Sequence, residues 1–432
     1  MRLAKGLVIA APRSGSGKTA VTLGLARMLT RRGMRVAPAK AGPDYIDPAF
    51  LARAAGTPAV NLDIWAMGAD RVRDLAARHG EGHDLVLIEG VMGLFDGAVG
   101  GGGSTADLAA ALDLPVVLVV DCQSHAQSVA ALVHGFASWR ADVEVAGVIL
   151  NRVASDKHEA MLRGALKKTG IPCLGAVPRR GDLELPARHL GLVLPGDVEG
   201  VDDFIARAGA VMDTHIDGNL LAAIARAVGT AAVRPDLAPL GQHIAVAHDA
   251  AFAFVYPHML DGWHGAGARL SFFSPLADEA PAGDADAVFL PGGYPELHGA
   301  RLAEAHGFRA GLEAARDRGT LIYGECGGFM VLGETLTDKA GITHPMTGLL
   351  PVAARIDRPR RVLGYRVLTH ASPLPWPARL MGHEFHYSSA APAKLPPLYE
   401  VADAAGEALG AMGARDGRVM GSYAHVIAGA EG

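Results

Sequence analysis

Apolar runs of strand length recur through the first half of this chain, separated by stretches with helical spacing. The runs cover residues 7–10, 36–39, 85–88, 116–120 and 145–150. A strand covered on both faces has no solvent side, so unbroken runs predict parallel strands sandwiched by helices. After Thr19, the residues Val21, Leu25, Met28 and Leu29 share one helical face. Together these features predict a doubly wound α/β domain. The pattern loosens through Gly229, Pro235, Pro239 and Gly241, read as a linker. Runs at 244–247, 270–273, 288–290 and 321–323 then open a second α/β series. At 432 residues the chain exceeds one ordinary core. The expectation is two domains, 1–235 and 242–432.

Composition excludes several classes. No run of about 18 uncharged apolar residues appears, so no membrane partner is expected. The start, Met1-Arg2-Leu3-Ala4-Lys5, has no signal-peptide cleavage region, and the cytoplasm is the expected location. Cys122, Cys173 and Cys326 are too scattered for a disulfide framework or a zinc site. A net charge of −5 argues against a nucleic-acid surface.

Ser14-Gly15-Ser16-Gly17-Lys18-Thr19 lies between the first strand and the first helix, where a phosphate loop belongs. Small residues let successive backbone N–H groups turn onto phosphate oxygens, Lys18 adds a full charge, and the Thr19 hydroxyl can bind Mg²⁺. Pro12 stands where the standard spacing asks for glycine, and Arg13 fits a variant loop with a second basic residue. Asp44, Asp47, Glu89 and Asp96 follow successive strand ends, the ligand-binding edge of an open parallel sheet. Alone, each reads as a helix cap or a solvated loop. Together they favour a site in which Asp44 and Glu89 join Thr19 around Mg²⁺ and Lys40 screens phosphate charge. Asp121 reads as a helix cap, and Asn151 as either a nucleotide-base contact or a loop turn.

Gly324-Glu325-Cys326-Gly327-Gly328 follows a strand and precedes an apolar helix start, the pattern of a nucleophile elbow. The helix N-terminus is expected to favour the Cys326 thiolate. His425, read as ending the last strand-like run, is the candidate base. Backbone N–H groups of Gly293, in Pro291-Gly292-Gly293-Tyr294-Pro295-Glu296, and of Gly327 are the candidate oxyanion donors.

The elbow and the Pro-Gly-Gly loop resemble the class I glutamine amidotransferases. Ile427 occupies the position where that family usually has a glutamate after its histidine. This departure matches the cobalamin-pathway branch, which works with a Cys–His pair. The first half resembles the dethiobiotin synthetase-like ATPases. Joined in this order, the chain is similar to the cobyrinic acid a,c-diamide synthase family over nearly its whole length. Residues 40–47, 89–97, 291–298 and 382–387 carry the likeness. The stretches 61–67, 145–151 and 188–192 look closest to aerobic-pathway members, which act on hydrogenobyrinic acid.

The resemblance implies an ATP- and glutamine-dependent ligase that amidates the a and c acetate groups of a corrin macrocycle through an acyl phosphate. It implies ATP and Mg²⁺ at Arg13 to Thr19, Lys40 and Asn151. Asp44, Glu89 and Asp96 would serve catalysis beside Cys326 and His425. Tyr45 reads as a macrocycle contact or as core, and Asp47 as a substrate-positioning group. A homodimer is one assembly consistent with it. Arg358, Arg360 and Arg361 read as a site for substrate carboxylates or as a solvated loop. The rivals are a cobyric acid synthase-like enzyme, a partitioning-type ATPase switch, and a pseudoenzyme with a dead thiol.

Overall fold

The computed structural model describes residues 3–183, 194–229, 237–390 and 394–430. The stretch 188–192 and most of the expected linker lie outside the described residues. The chain divides into two compact units, 1–233 and 234–432.

In the first unit the elements run β1 (Lys5–Ala10), α1 (Lys18–Arg31), β2 (Val36–Ala41), α2 (Ile46–Ala55), β3 (Val60–Leu62), α3 (Ile64–Gly80), β4 (Leu85–Glu89) and α4 (Thr105–Leu112). They continue as β5 (Val116–Asp121), α5 (Val129–Ser138), β6 (Val145–Val153), α6 (Asp156–Leu166), β7 (Cys173–Pro178), α7 (Val201–His215), α8 (Gly218–Ile224) and β8 (Arg226–Ala227). The sheet order is β3-β2-β4-β1-β5-β6-β7, with β8 antiparallel on β1. All other pairs are parallel. The chain turns to opposite sides of β1 at this point in the order, which opens a crevice at its carboxyl end. Leu7, Ile9, Leu25, Phe50, Leu87, Val117 and Ile205 meet in one core between sheet and helices. Each such side chain contributes about 1.5–3 kcal/mol by leaving water.

The helix starts differ in a way that matters. Ser104 and Asp107 close a reciprocal capping box on α4. By contrast α1 begins after Gly17 at φ 83°, with no side-chain cap. Its first N–H groups therefore keep their donors for an anion.

The second unit opens with β9 (His243–Ala247), α9 (Pro257–Gly265), β10 (Arg269–Phe273), β11 (Ala287–Leu290), α10 (Gly299–Glu304), α11 (His306–Asp317), β12 (Leu321–Glu325) and α12 (Gly327–Leu332). Shorter strands follow: β13 (Thr335–Thr337), β14 (Thr343–Pro345), β15 (Ala353–Arg355), β16 (Val362–Thr369), β17 (Arg379–His386) and β18 (Ser389–Ala390). The last are β19 (Tyr399–Asp403), β20 (Ala408–Met412), β21 (Ala414–Asp416), β22 (Val419–Ser422) and β23 (His425–Gly429). A central sheet has the order β10-β9-β11-β12-β22-β21, parallel except at β21. Two further sheets, β14-β13-β15-β18 and the antiparallel β20-β19-β16-β17-β23, complete the unit. The fold is thus α/β in both units, with more antiparallel structure in the second than its apolar runs announce. His425 opens β23 rather than closing a strand, because β22 ends at Ser422 to pair with β12. Among the described residues no helix is long and apolar enough to cross a membrane.

Candidate functional site

In the first unit a cavity of about 780 Å³ opens at the end of β1. Its floor is the loop before α1. Gly15 and Gly17 take φ values of 80° and 83°, which only glycine adopts without strain. Ser16 turns inward and donates to the Arg13 carbonyl at 2.9 Å. Asn151 donates to the Ser16 carbonyl at 2.8 Å, and Arg152 to that of Gly15 at 3.0 Å. A Cβ on Gly17 would lie 2.3 Å from Asn151 Nδ2. The Asn151 amide thus braces the loop from the cavity wall. Asp121 caps no helix end; it pairs with Arg152 at 2.7 Å and with Arg13 at 3.5 Å.

Charge inside this cavity is closely arranged. Lys18 Nζ donates to the Met92 carbonyl at 3.2 Å. Burial, then repulsion from Lys40, lowers its ammonium to about 8. Lys40 donates to Asp47 at 2.7 Å and to Glu89 at 3.1 Å, all three groups being buried. Burial alone would lower Lys40, but Glu89 and Asp47 outweigh it and hold its proton more firmly than usual. Asp44 is pushed up to about 6 by burial and by Asp47. One of its oxygens is already taken by the backbone N–H of Ile46, at 2.7 Å.

The Thr19 hydroxyl donates to Glu89 Oε1 at 2.6 Å, while Glu89 Oε2 is buried without a hydrogen-bond partner among the described residues. A hydroxyl, one carboxylate and an open oxygen beneath a phosphate loop fit Mg²⁺, which takes only one or two protein carboxylates when phosphates and waters complete its shell. Among the described residues no group of three or more His, Cys, Asp or Glu is placed to hold a metal ion. Of the expected residues, Arg13, Ser14, Gly15, Gly17, Lys18, Thr19, Lys40, Asp44, Asp47 and Asn151 line the cavity. Ser16 and Glu89 lie just beneath it. Tyr45 and Asp96 do not line it. Asp96 is exposed and accepts the Gly93 N–H at 2.9 Å, bracing the loop after β4. Arg179 and Arg180, past the end of β7, do line it; β7 was not among the strand-like runs, so nothing pointed to them.

In the second unit Cys326 sits between β12 and α12 at φ 46° and ψ −104°, a strained conformation for a residue with a side chain. Gly292 shows how tightly the site is assembled. A Cβ there would lie 2.3 Å from His425 Cε1 and 3.3 Å from Cys326 Cβ. A Cβ on Gly327 would lie 3.0 Å from the Gly293 nitrogen, so the two expected oxyanion donors are adjacent. The thiol differs from expectation. Burial, then the charge of Glu296, pushes it well above the ordinary range, although the Gly327 N–H pulls the other way. The pull of that single N–H does not outweigh the burial.

His425 is buried. Its Nδ1 faces Glu325 Oε2 at 3.7 Å, and His383 stacks on its ring with centroids 5.0 Å apart. Glu325 Oε1 is held by the Tyr323 hydroxyl at 2.9 Å and the Val426 N–H at 3.1 Å. Glu384 accepts from Arg366, and from His386 at 3.1 Å. Glu325, Glu296, His383 and Glu384 were visible only as members of motifs; pairing of β17 with β23, which sets His383 opposite His425, brings two of the histidines together. Arg358, Arg360 and Arg361 are exposed in the second unit.

Residues 7–193 match the family model described as the CobQ/CobB/MinD/ParA nucleotide binding domain. Residues 243–432 match the CobB/CobQ-like glutamine amidotransferase domain. A relative from Brucella abortus, named hydrogenobyrinate a,c-diamide synthase, is 55% identical over 428 residues, 98% of each chain. Relatives of the same name from Sinorhizobium sp and Rhodobacter capsulatus are 51% and 48% identical, each alignment covering 98% of this chain and 98% and 99% of theirs. The chain belongs to the hydrogenobyrinate a,c-diamide synthases. Membership makes it a ligase that forms amides with a glutamine amidotransferase domain, joined to a nucleotide-binding domain. The amidotransferase domain excludes a bare partitioning-type ATPase switch.

Proposed function

We propose that this chain amidates the a and c acetate carboxylates of hydrogenobyrinic acid, using glutamine as nitrogen donor and ATP as activator. The first unit acts as synthetase and the second as glutaminase, with the boundary between residues 235 and 242. The observation that carries the reading is the strained Cys326 elbow set against Gly292 and His425, in a chain whose other unit holds a phosphate loop.

At the elbow, Cys326 gives its proton to His425 and its sulfur attacks the glutamine amide carbon. The N–H groups of Gly293 and Gly327 receive the oxyanion. His425 then protonates the leaving ammonia, and water, deprotonated by His425, hydrolyses the thioester to glutamate. Glu325 faces the imidazole and stabilises it as it takes up charge. In the first unit the ring carboxylate attacks the γ-phosphate of ATP, giving an acyl phosphate and ADP. Ammonia displaces phosphate, because phosphate leaves where an oxide would not. Lys18 and the uncapped N-terminus of α1 hold the phosphates. Thr19 and Glu89 would hold Mg²⁺, which supplies positive charge against the phosphate oxygens when bound. Asp44, with one oxygen committed to α2, and the Lys40–Asp47 pair shape the same pocket. Tyr45, just before α2, does not line this cavity and takes no part in these steps.

The test is incubation with glutamine, Mg·ATP and either hydrogenobyrinic or cobyrinic acid, followed by mass spectrometry for single and double amidation. Double amidation of the metal-free macrocycle is expected. Cys326→Ser should lose glutamine-supported turnover yet accept ammonium salts. Amidation at other side chains would favour the cobyric acid synthase-like alternative, and no amidation of either macrocycle would sink the proposal.

A further inference from the structure

Glu296 is a carboxylate that the chemistry above leaves unused. It lies in the loop running from β11 onto the elbow, three residues after Gly293. Pro295 fixes this loop against the elbow; its Cδ is 2.8 Å from where a Gly327 Cβ would be. The residue as a whole is half-buried, but its Oε2 is buried and meets no hydrogen-bond partner among the described residues. Burial pushes its carboxyl up to about 7, against the pull of its own backbone N–H. Its charge reaches the nucleophile, being the next cause after burial that raises the Cys326 thiol. An anion with an open oxygen, on a loop packed against the elbow, opposes the ionisation of the thiol that this site performs. A buried carboxylate is stable only when a partner meets it. The substrate can be that partner, since glutamine carries a cation on the same short chain as its amide.

We infer that Glu296 receives the α-ammonium of glutamine and so selects an α-amino substrate over the same amide lacking the amine. The inference rests on the glutaminase reading above. The loop then reads both ends of one substrate, with Gly293 on the carbonyl oxygen and Glu296 on the ammonium. A charge-assisted hydrogen bond forms at the open oxygen. The same contact neutralises the carboxylate and removes its field from Cys326. Recognition of glutamine is thereby coupled to activation of the thiol, which stays protonated until the substrate arrives.

The test compares kcat/KM for glutamine and for glutaramate, which is glutamine without its α-amine, in wild type and in Glu296→Gln. Wild type should prefer glutamine by about 100-fold or more, and the variant by less than about tenfold, since a site built to bond a group rejects the analogue without it. The ratio is an internal reference within each protein. In the absence of substrate, iodoacetamide should alkylate Cys326 severalfold faster in Glu296→Gln than in wild type. If Glu296→Gln does not fold, Glu296→Asp is measured for the same loss of preference. A folded variant that keeps the wild-type preference overturns the role of Glu296, and equal alkylation rates overturn the coupling. A wild type that hydrolyses neither amide overturns the glutaminase reading itself, a distinct result.

Discussion

Glu325→Gln is the most informative single change at the thiol site. The Gln side chain keeps an oxygen where Glu325 Oε1 accepts from Tyr323 and Val426, so the local structure should persist. What disappears is the negative charge 3.7 Å from His425 Nδ1. That charge matters little while the imidazole is neutral. It acts once His425 has taken the thiol proton, so its loss falls on the transition state rather than on glutamine binding. At this separation and an effective dielectric of about 20, two unit charges attract by about 4.5 kcal/mol. The Tyr323 and Val426 donors already take up part of the carboxylate charge, and half of that attraction is about 2 kcal/mol. The expected fall in glutaminase kcat is therefore between about 30-fold and 2000-fold, with KM for glutamine little changed. The assay is steady-state glutamate release, with a thermal melt to show that the variant folds. Glu325→Asp, which restores the charge, should recover part of the loss. A folded Glu325→Gln enzyme with kcat within about threefold of wild type would refute the reasoning.

Gly328→Ala should damage both fold and activity, because its Cβ would lie 1.9 Å from the Leu290 carbonyl oxygen; a loss of about 3 kcal/mol or more in denaturant unfolding checks this. Asn151→Ala removes one hydrogen bond to the phosphate loop, about 1 kcal/mol, and should raise KM for ATP roughly fivefold with glutamine hydrolysis measured separately. Burial pushes the Glu384 carboxyl up, but the His386 hydrogen bond and the Arg366 charge prevail and leave it below its ordinary value. A carboxyl lowered on folding adds stability above its unfolded value of about 4.3 and loses it as pH falls through the folded value. Wild type should therefore lose melting temperature more steeply than Glu384→Gln below about pH 4.

Features legible in the sequence are those that local chemistry writes into consecutive residues. The loop from Ser14 to Thr19 and the elbow from Gly324 to Gly328 need glycine at fixed offsets, and apolar runs mark strands covered on both faces. Strand β7, Cys173–Pro178, is an apolar stretch broken by Gly175 and closed by Pro178, and with its omission went Arg179 and Arg180. The antiparallel sheets of the second unit escaped for a related reason. A strand such as β19, Tyr-Glu-Val-Ala-Asp, buries Tyr399 and Val401 but exposes Glu400, and so alternates instead of running apolar. Glu325 stands beside Cys326 in the chain, yet its role appears only when β23 brings His425 across to it. The thiol expectation failed because helix position is visible in sequence and burial is not.

Around the elbow, backbone lies directly against backbone at several glycines. A Cβ on Gly421 would meet the Gly324 oxygen at 2.6 Å, and one on Gly324 would meet the Gly328 carbonyl carbon at 2.9 Å. The side chains that enter these gaps, Leu332 and Phe329, are themselves buried and packed, with little room to absorb a displacement by changing rotamer. Thermal motion of the nucleophile, of β22 and of the loop carrying Gly293 must therefore be shared. The spacing of the reacting groups is set by peptide stereochemistry, which scarcely varies with temperature. Amide hydrogens at the elbow should exchange with solvent as one cooperative set, at the rate of the central sheet rather than that of a surface turn.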